Sequence, residues 1–184
     1  MKSERGISMI ELIIASMLSV LVLMMVGGML INSLTSQRRV LDDTQASNTA
    51  QLAAMAVTRS VRNASDLRLT EPVAGDQLLE VRTASVNADA GVFLCQAWYY
   101  SAGQLRMSSS NSPITTPTPV QLATWTLVAR GIQQVAGAPV FTLTGRQVDI
   151  KIETSVGSGA PILVSTTALS RQPVPTTVEP PTCF

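Results

Sequence analysis

The stretch ISMIELIIASMLSVLVLMMVGGMLI, residues 7–31, follows a short polar leader, Met1-Lys2-Ser3-Glu4-Arg5-Gly6, and carries a single charge, Glu11. A run of about 20 apolar residues is long enough to cross a bilayer as a helix. An ionisable side chain inside such a run is costly, so Glu11 marks a functional position that needs a partner. Lys2 and Arg5 on the leader predict an N-terminus held on the inner side of the membrane.

Two ordinary explanations account for part of this pattern. A conventional secretory signal has an apolar region of about 7 to 15 residues and a small-x-small cleavage site, whereas this run is about twice that length with its charge inside. An uncleaved signal anchor explains the topology but neither Glu11 nor the glycine directly before the run.

The order Lys2-Ser3-Glu4-Arg5-Gly6, then Ile7-Ser8-Met9-Ile10-Glu11-Leu12, resembles the class III signal of type IV pilins and type II secretion pseudopilins. The resemblance implies cleavage between Gly6 and Ile7 by a prepilin peptidase, which also methylates the new amine on Ile7. It further implies that Glu11 neutralises the N-terminal amine of a neighbouring subunit, since an unpaired charge in hydrocarbon costs several kcal/mol. The family usually has phenylalanine at the first mature position, where this chain has Ile7; cleavage depends mainly on the glycine. Many major pilins soften the helix with a proline, and here Gly27-Gly28 stands instead. The pair either loosens the helix, glycine costing about 1 kcal/mol relative to alanine, or forms a small-residue packing face.

Residues 32–184 suffice for one domain with its own core, within the usual range of about 50 to 250 residues. The chain has 13 Lys+Arg against 12 Asp+Glu, and setting aside Lys2, Arg5, Glu4 and Glu11 leaves 11 against 10. Such a balance creates no strong field for nucleic acid or acidic lipid. Histidine is absent from the sequence, which removes the commonest general base and excludes Ser-His and Cys-His mechanisms. No phosphate-binding glycine loop, zinc-type cysteine pairing or calcium-loop signature appears. The expectation is a protein that is not an enzyme and holds no cofactor or metal.

Cys95 and Cys183 are the two cysteines. In a translocated, oxidising setting such a pair is a disulfide candidate, closing a long loop for a gain of about 2 to 4 kcal/mol; two unpaired thiols are the alternative. The resemblance supports the bond, because many pilins tie down their C-terminal region this way.

Ala50, Ala53, Ala54, Val57, Val61 and Ala64 recur at helical spacing, with Arg59, Arg62 and Asn63 on the other side. No proline interrupts residues 7–64, so the membrane helix is predicted to continue to about residue 64 as an amphipathic helix. Strand signals follow at Leu78 to Val81 and at Val92 to Tyr100, with Ser101-Ala102-Gly103 turning into Gln104 to Met107. Ala123, Trp125, Leu127 and Ala129 suggest a further strand, and Phe141 and Leu143 lead through a Gly145-Arg146 turn. The run Val148-Asp149-Ile150-Lys151-Ile152-Glu153 alternates apolar and charged residues, the pattern of a half-buried antiparallel strand whose apolar face should meet the helix. Gly157-Ser158-Gly159 then turns into Ile162 to Leu169. Ser108 to Pro119 and Arg171 to Pro181 read as solvated loops.

The predicted fold is therefore α+β and pilin-like: leader 1–6, transmembrane or filament-core helix 7–31, and a periplasmic or extracellular domain 32–184. In it, the long helix packs on an antiparallel β-sheet. Met55 to Leu69 together with Phe141 to Arg171 resembles PilW-like minor pilins and J-type minor pseudopilins. The resemblance implies a structural subunit of a type IV pilus or secretion pseudopilus. Its implied partners are prepilin peptidase, other minor and major pilins or pseudopilins, the inner-membrane assembly platform, and membrane lipid before assembly.

A signal-anchored binding module, such as an adhesin or DNA-uptake tip protein, is the alternative. Arg38, Arg39, Arg59 and Arg62 offer cations for nucleic acid, but Asp42 and Asp43 offset the first pair and no aromatic residues are interleaved. A membrane-anchored enzyme would need an acid pair such as Asp149 and Glu153, which share the face a charged surface occupies.

Overall fold

Helix α1 (Met9–Arg62) dominates the N-terminal third of the chain. The structure, a computed structural model of the 184-residue chain, describes residues 9–84, 93–154, 161–173 and 183–184. The chain divides into two units, Met1–Asp42 and Asp43–Phe184, with α1 contributing to both.

In the second unit α1 turns Ala46, Ala50, Ala53, Ala54, Val57 and Val61 into the core. Five of the six anticipated stripe positions are thus buried helical residues. The sixth, Ala64, is also buried but opens β1 (Ala64–Thr70), because the helix ends at Arg62 and not at about 64. Asn63 N–H closes the last turn on the Arg59 carbonyl at 3.2 Å, and Arg59 and Arg62 place positive charge at the negative end of the helix dipole. Strand β1 was not anticipated: its register with β2 shifts between Ala64 and Asp66, and that bulge, with Arg68 and Asp66, blurs the alternation.

Strands β1, β2 (Gln77–Ala84), β3 (Phe93–Ser101), β4 (Gln104–Ser110) and β5 (Thr126–Arg130) form an antiparallel sheet in sequence order. Ala102 and Gly103 both have positive φ, 46° and 74°, as a two-residue turn matched to strand twist requires. A Cβ on Gly103 would also stand 3.2 Å from the Ile132 carbonyl, and the Ile132 N–H donates to the Gly103 carbonyl at 3.0 Å.

A second antiparallel sheet contains β6 (Ile132–Gln133), β7 (Phe141–Thr144), β8 (Gln147–Thr154) and β9 (Ile162–Leu169). β9 pairs with β8 along its whole length, while β7 and β6 share the opposite edge of β8. The alternation in β8 holds: Val148, Ile150 and Ile152 are fully buried and join Val57, Val61, Leu79, Trp98 and Phe141 in one core between α1 and both sheets. Each fully buried large aliphatic or aromatic side chain is worth roughly 1.5–3 kcal/mol. The polar edge of Trp98 is satisfied, its Nε1 donating to Ser60 Oγ at 3.3 Å while Ser60 donates to Gln96.

The expected α+β fold, a long N-terminal helix packed on antiparallel sheet, is present with its strands divided between two sheets, and the segment between β4 and β5 differs from its reading. Ser108–Ser110 extend β4, and Pro119–Thr124 form a short helix, α2, in place of the strand start at Ala123. Thr118 and Gln121 cap α2 reciprocally with Pro119 in its first turn, a local signal stronger than the alternation. Ile114, Leu122 and Trp125 pack on Leu78, Ala97 and Tyr99, so this stretch covers the outer face of the first sheet. Met1 to Gly6, Ile7, Val92, Gly157-Ser158-Gly159 and residues 174–181 lie outside the described residues.

Candidate functional site

Every residue of α1 from Met9 to Val26 is exposed, and the most apolar 18-residue window of the helix has none of its residues buried. One long apolar helix near the N-terminus is compatible with a membrane anchor. Three of its hydroxyls are bonded within the helix: Ser16 donates to the Ile13 carbonyl at 2.8 Å, Ser19 to Ala15 at 2.8 Å and Thr35 to Ile31 at 2.9 Å. These hydroxyls ask for no outside partner.

Glu11 is the exception. It lies in the first turn of α1, exposed, and among the described residues no cation pairs with it. The helix runs unbroken through Gly27 and Gly28, where an added Cβ would meet nothing within 4 Å. Neither glycine is required by packing or backbone conformation within the described chain. The sites placed at Gly6 and Ile7 fall outside the described residues.

Cys95 on β3 and Cys183 form a disulfide, with Cα atoms 5.3 Å apart and both residues buried. The bond brings Phe184 over the Arg68 guanidinium, 4.9 Å from the ring centroid. Arg68 in turn makes a two-pronged ion pair with the buried Glu80, at 2.7 and 2.9 Å. The Glu80 carboxylate, chiefly through these hydrogen bonds, holds the Arg68 guanidinium above its ordinary pKa. Glu80 is thus a buried charge made tolerable by bidentate pairing.

The acid pair Asp149 and Glu153 lies on the outward face of β8 with Lys151. Asp149 accepts from Thr167 at 2.7 Å and Gln147 at 3.1 Å, and these bonds lower its pKa. It is anchored as a carboxylate and does not have the raised pKa of a general acid. Among the described residues no three of His, Cys, Asp or Glu come together as metal ligands. Arg38 and Arg39 are exposed on α1 in the first unit.

Arg59 and Arg62 have a setting that helical periodicity did not reveal. They line a groove of about 500 Å³ between α1 and β9. Its only sequence signal is the uncharged run Ile162 to Leu169. A second groove, about 450 Å³, lies between α1 and β5. No family model, curated protein or solved structure matches this chain.

Proposed function

We propose that this chain is a minor pilin or pseudopilin, a structural subunit that assembles into, or primes, a type IV pilus or type II secretion pseudopilus. The observation that carries the reading is Glu11: a lone carboxylate in the first turn of an apolar, exposed helix, without a cation among the described residues. A neighbour's N-terminal amine is the partner whose chemistry suits that position, because pairing removes two charges from apolar surroundings at once. The second half of the same helix packs on antiparallel sheets, so the chain combines an anchor with a rigid domain.

In this reading the precursor sits in the inner membrane with its N-terminus inside, is cleaved between Gly6 and Ile7, and presents its disulfide-bonded domain to the periplasm or exterior. Extraction into a filament exchanges lipid for the helices of other pilins or pseudopilins. The protein acts by assembly, with no catalytic turnover.

The test is the intact mass and N-terminal sequence of the protein expressed with and without a prepilin peptidase. Removal of Met1 to Gly6 only with the peptidase, leaving Ile7, supports the reading. Persistence of the full precursor under both conditions replaces it with a signal-anchored surface module.

A further inference from the structure

The outer edge of β9 differs from every other sheet edge among the described residues. Folds usually blunt such edges with charge, bulges, proline or short length, because the unpaired N–H and C=O groups invite another chain. β1 carries Asp66, Arg68 and a bulge. β5 has five residues, ends on Arg130 and pairs irregularly; β6 has two residues and β7 four. β9 has eight residues, Ile162-Leu163-Val164-Ser165-Thr166-Thr167-Ala168-Leu169, without charge, proline or register shift. Among the described residues no strand pairs with its outer side, and Leu163 and Leu169 remain more than half exposed.

The groove along this strand has a definite chemistry. It is lined by Val164 and Thr166 from β9 and by Met55, Thr58, Arg59 and Arg62 from α1, with no carboxylate lining it among the described residues. Met55 is 64% exposed. Neither Arg59 nor Arg62 has an ion-pair partner among the described residues. Among the described residues the buried Thr58 hydroxyl has no hydrogen-bond partner, whereas Thr49 on the same helix donates to the carbonyl one turn back at 2.8 Å.

We propose that β9 and this groove receive an extended, acidic segment of a partner protein as an added strand. Its backbone continues the second sheet beyond β9, which supplies affinity through main-chain hydrogen bonds. Alternate side chains then face α1, placing apolar groups on Met55 and carboxylates at Arg59 and Arg62. A change of χ1 at Thr58 lets its hydroxyl pair with the incoming chain. The site lies wholly within Asp43–Phe184, so its test is separate from that of Glu11.

The full-length protein in detergent micelles is titrated with a fluorescent peptide of about eight residues alternating valine and glutamate. Anisotropy reports binding and hydrogen exchange reports protection of Ile162–Leu169. The controls are the same peptide with lysine for glutamate, and the glutamate peptide with alternate amides N-methylated. The glutamate peptide is expected to bind about tenfold more tightly than the lysine peptide, to slow exchange in β9, and to lose binding on N-methylation. Arg59→Glu with Arg62→Glu, both exposed positions, should reverse the preference without changing the circular dichroism spectrum. Equal binding of both charged peptides, or no binding by either up to about 1 mM, overturns the proposal. So does a concentration-dependent dimer that Ser165→Lys dissolves, which would make the occupant a second copy of this chain.

Discussion

The side-chain amide of Gln77 pairs with the backbone of Phe141 in both directions: Nε2 donates to the Phe141 carbonyl and Oε1 accepts its N–H, each at 2.9 Å. Gln77 opens β2 and Phe141 opens β7, so one side chain stands in for a strand partner between the two sheets. Both residues are buried, which leaves no water to replace the bonds. Gln77→Leu is expected to lower stability by about 2–4 kcal/mol, since it orphans two buried backbone groups. Urea unfolding measures this, and a loss under about 1 kcal/mol would show that the strands relax to pair otherwise.

Cys183→Ser, or reduction, removes a link spanning a sequence separation of 88 residues. The expected loss is about 2–4 kcal/mol, together with loss of Phe184 from the Arg68 guanidinium. Thermal unfolding with and without reductant checks the first, and an unchanged midpoint would show that the tail is held by packing alone.

Alkaline pH should destabilise the fold through Tyr99. Burial first, then its hydrogen bond to Asp76 at 2.9 Å, pushes the Tyr99 hydroxyl up to about 12; burial and the Asp76 charge raise Tyr100 as well. A group raised in the folded state contributes stability that is full below its unfolded value, about 10, and is lost as pH climbs through the folded value. The denaturation midpoint should therefore fall between about pH 10 and 12, and less steeply in Tyr99→Phe.

Glu11→Ala should insert into membranes as the unaltered chain does, because removing a charge from an apolar helix favours insertion, yet fail to enter a filament. Fractionation of membrane and sheared filament separates the two steps. Normal incorporation of the variant would remove the assembly role assigned to Glu11.

Gly27→Ala with Gly28→Ala should raise the helical stability of the isolated protein by about 1 kcal/mol per site, since the new methyl groups meet nothing within 4 Å. If membrane insertion is retained but assembly is lost, the glycines serve flexibility or close approach by another subunit. Unchanged assembly would show that neither property is needed.

Local patterns made the apolar helix, the Ala-Val stripe, the β3–β4 turn and the alternation of β8 legible, because each is decided by neighbours within one element. Cys95 and Cys183 were legible as a pair because the chain offers no others. The division into two sheets was not, since it depends on contacts such as Gln77 with Phe141, 64 residues apart. Strand β1 hid behind a bulge, and α2 forms because the Thr118–Gln121 cap with Pro119 in the first turn prevails over the apparent alternation that suggested a strand start at Ala123. Glu11 stood out as a charge where none is expected. Arg59 and Arg62 are exposed, and their place in a groove beside β9 was not legible because it depends on a strand about 100 residues further along the chain.

The hydroxyls of Ser16, Ser19 and Thr35 are bonded back onto their own helix, so these three positions ask the same of any apolar medium that surrounds them. On the proposed reading, in which the helix passes from lipid to a bed of neighbouring side chains, these three hydroxyls keep the same hydrogen bonds in both surroundings. Direction and stopping point must then be encoded elsewhere. In residues 7–31 the one charged position is Glu11, and on the proposed reading that single carboxylate gives the apolar stretch both an origin and a scale.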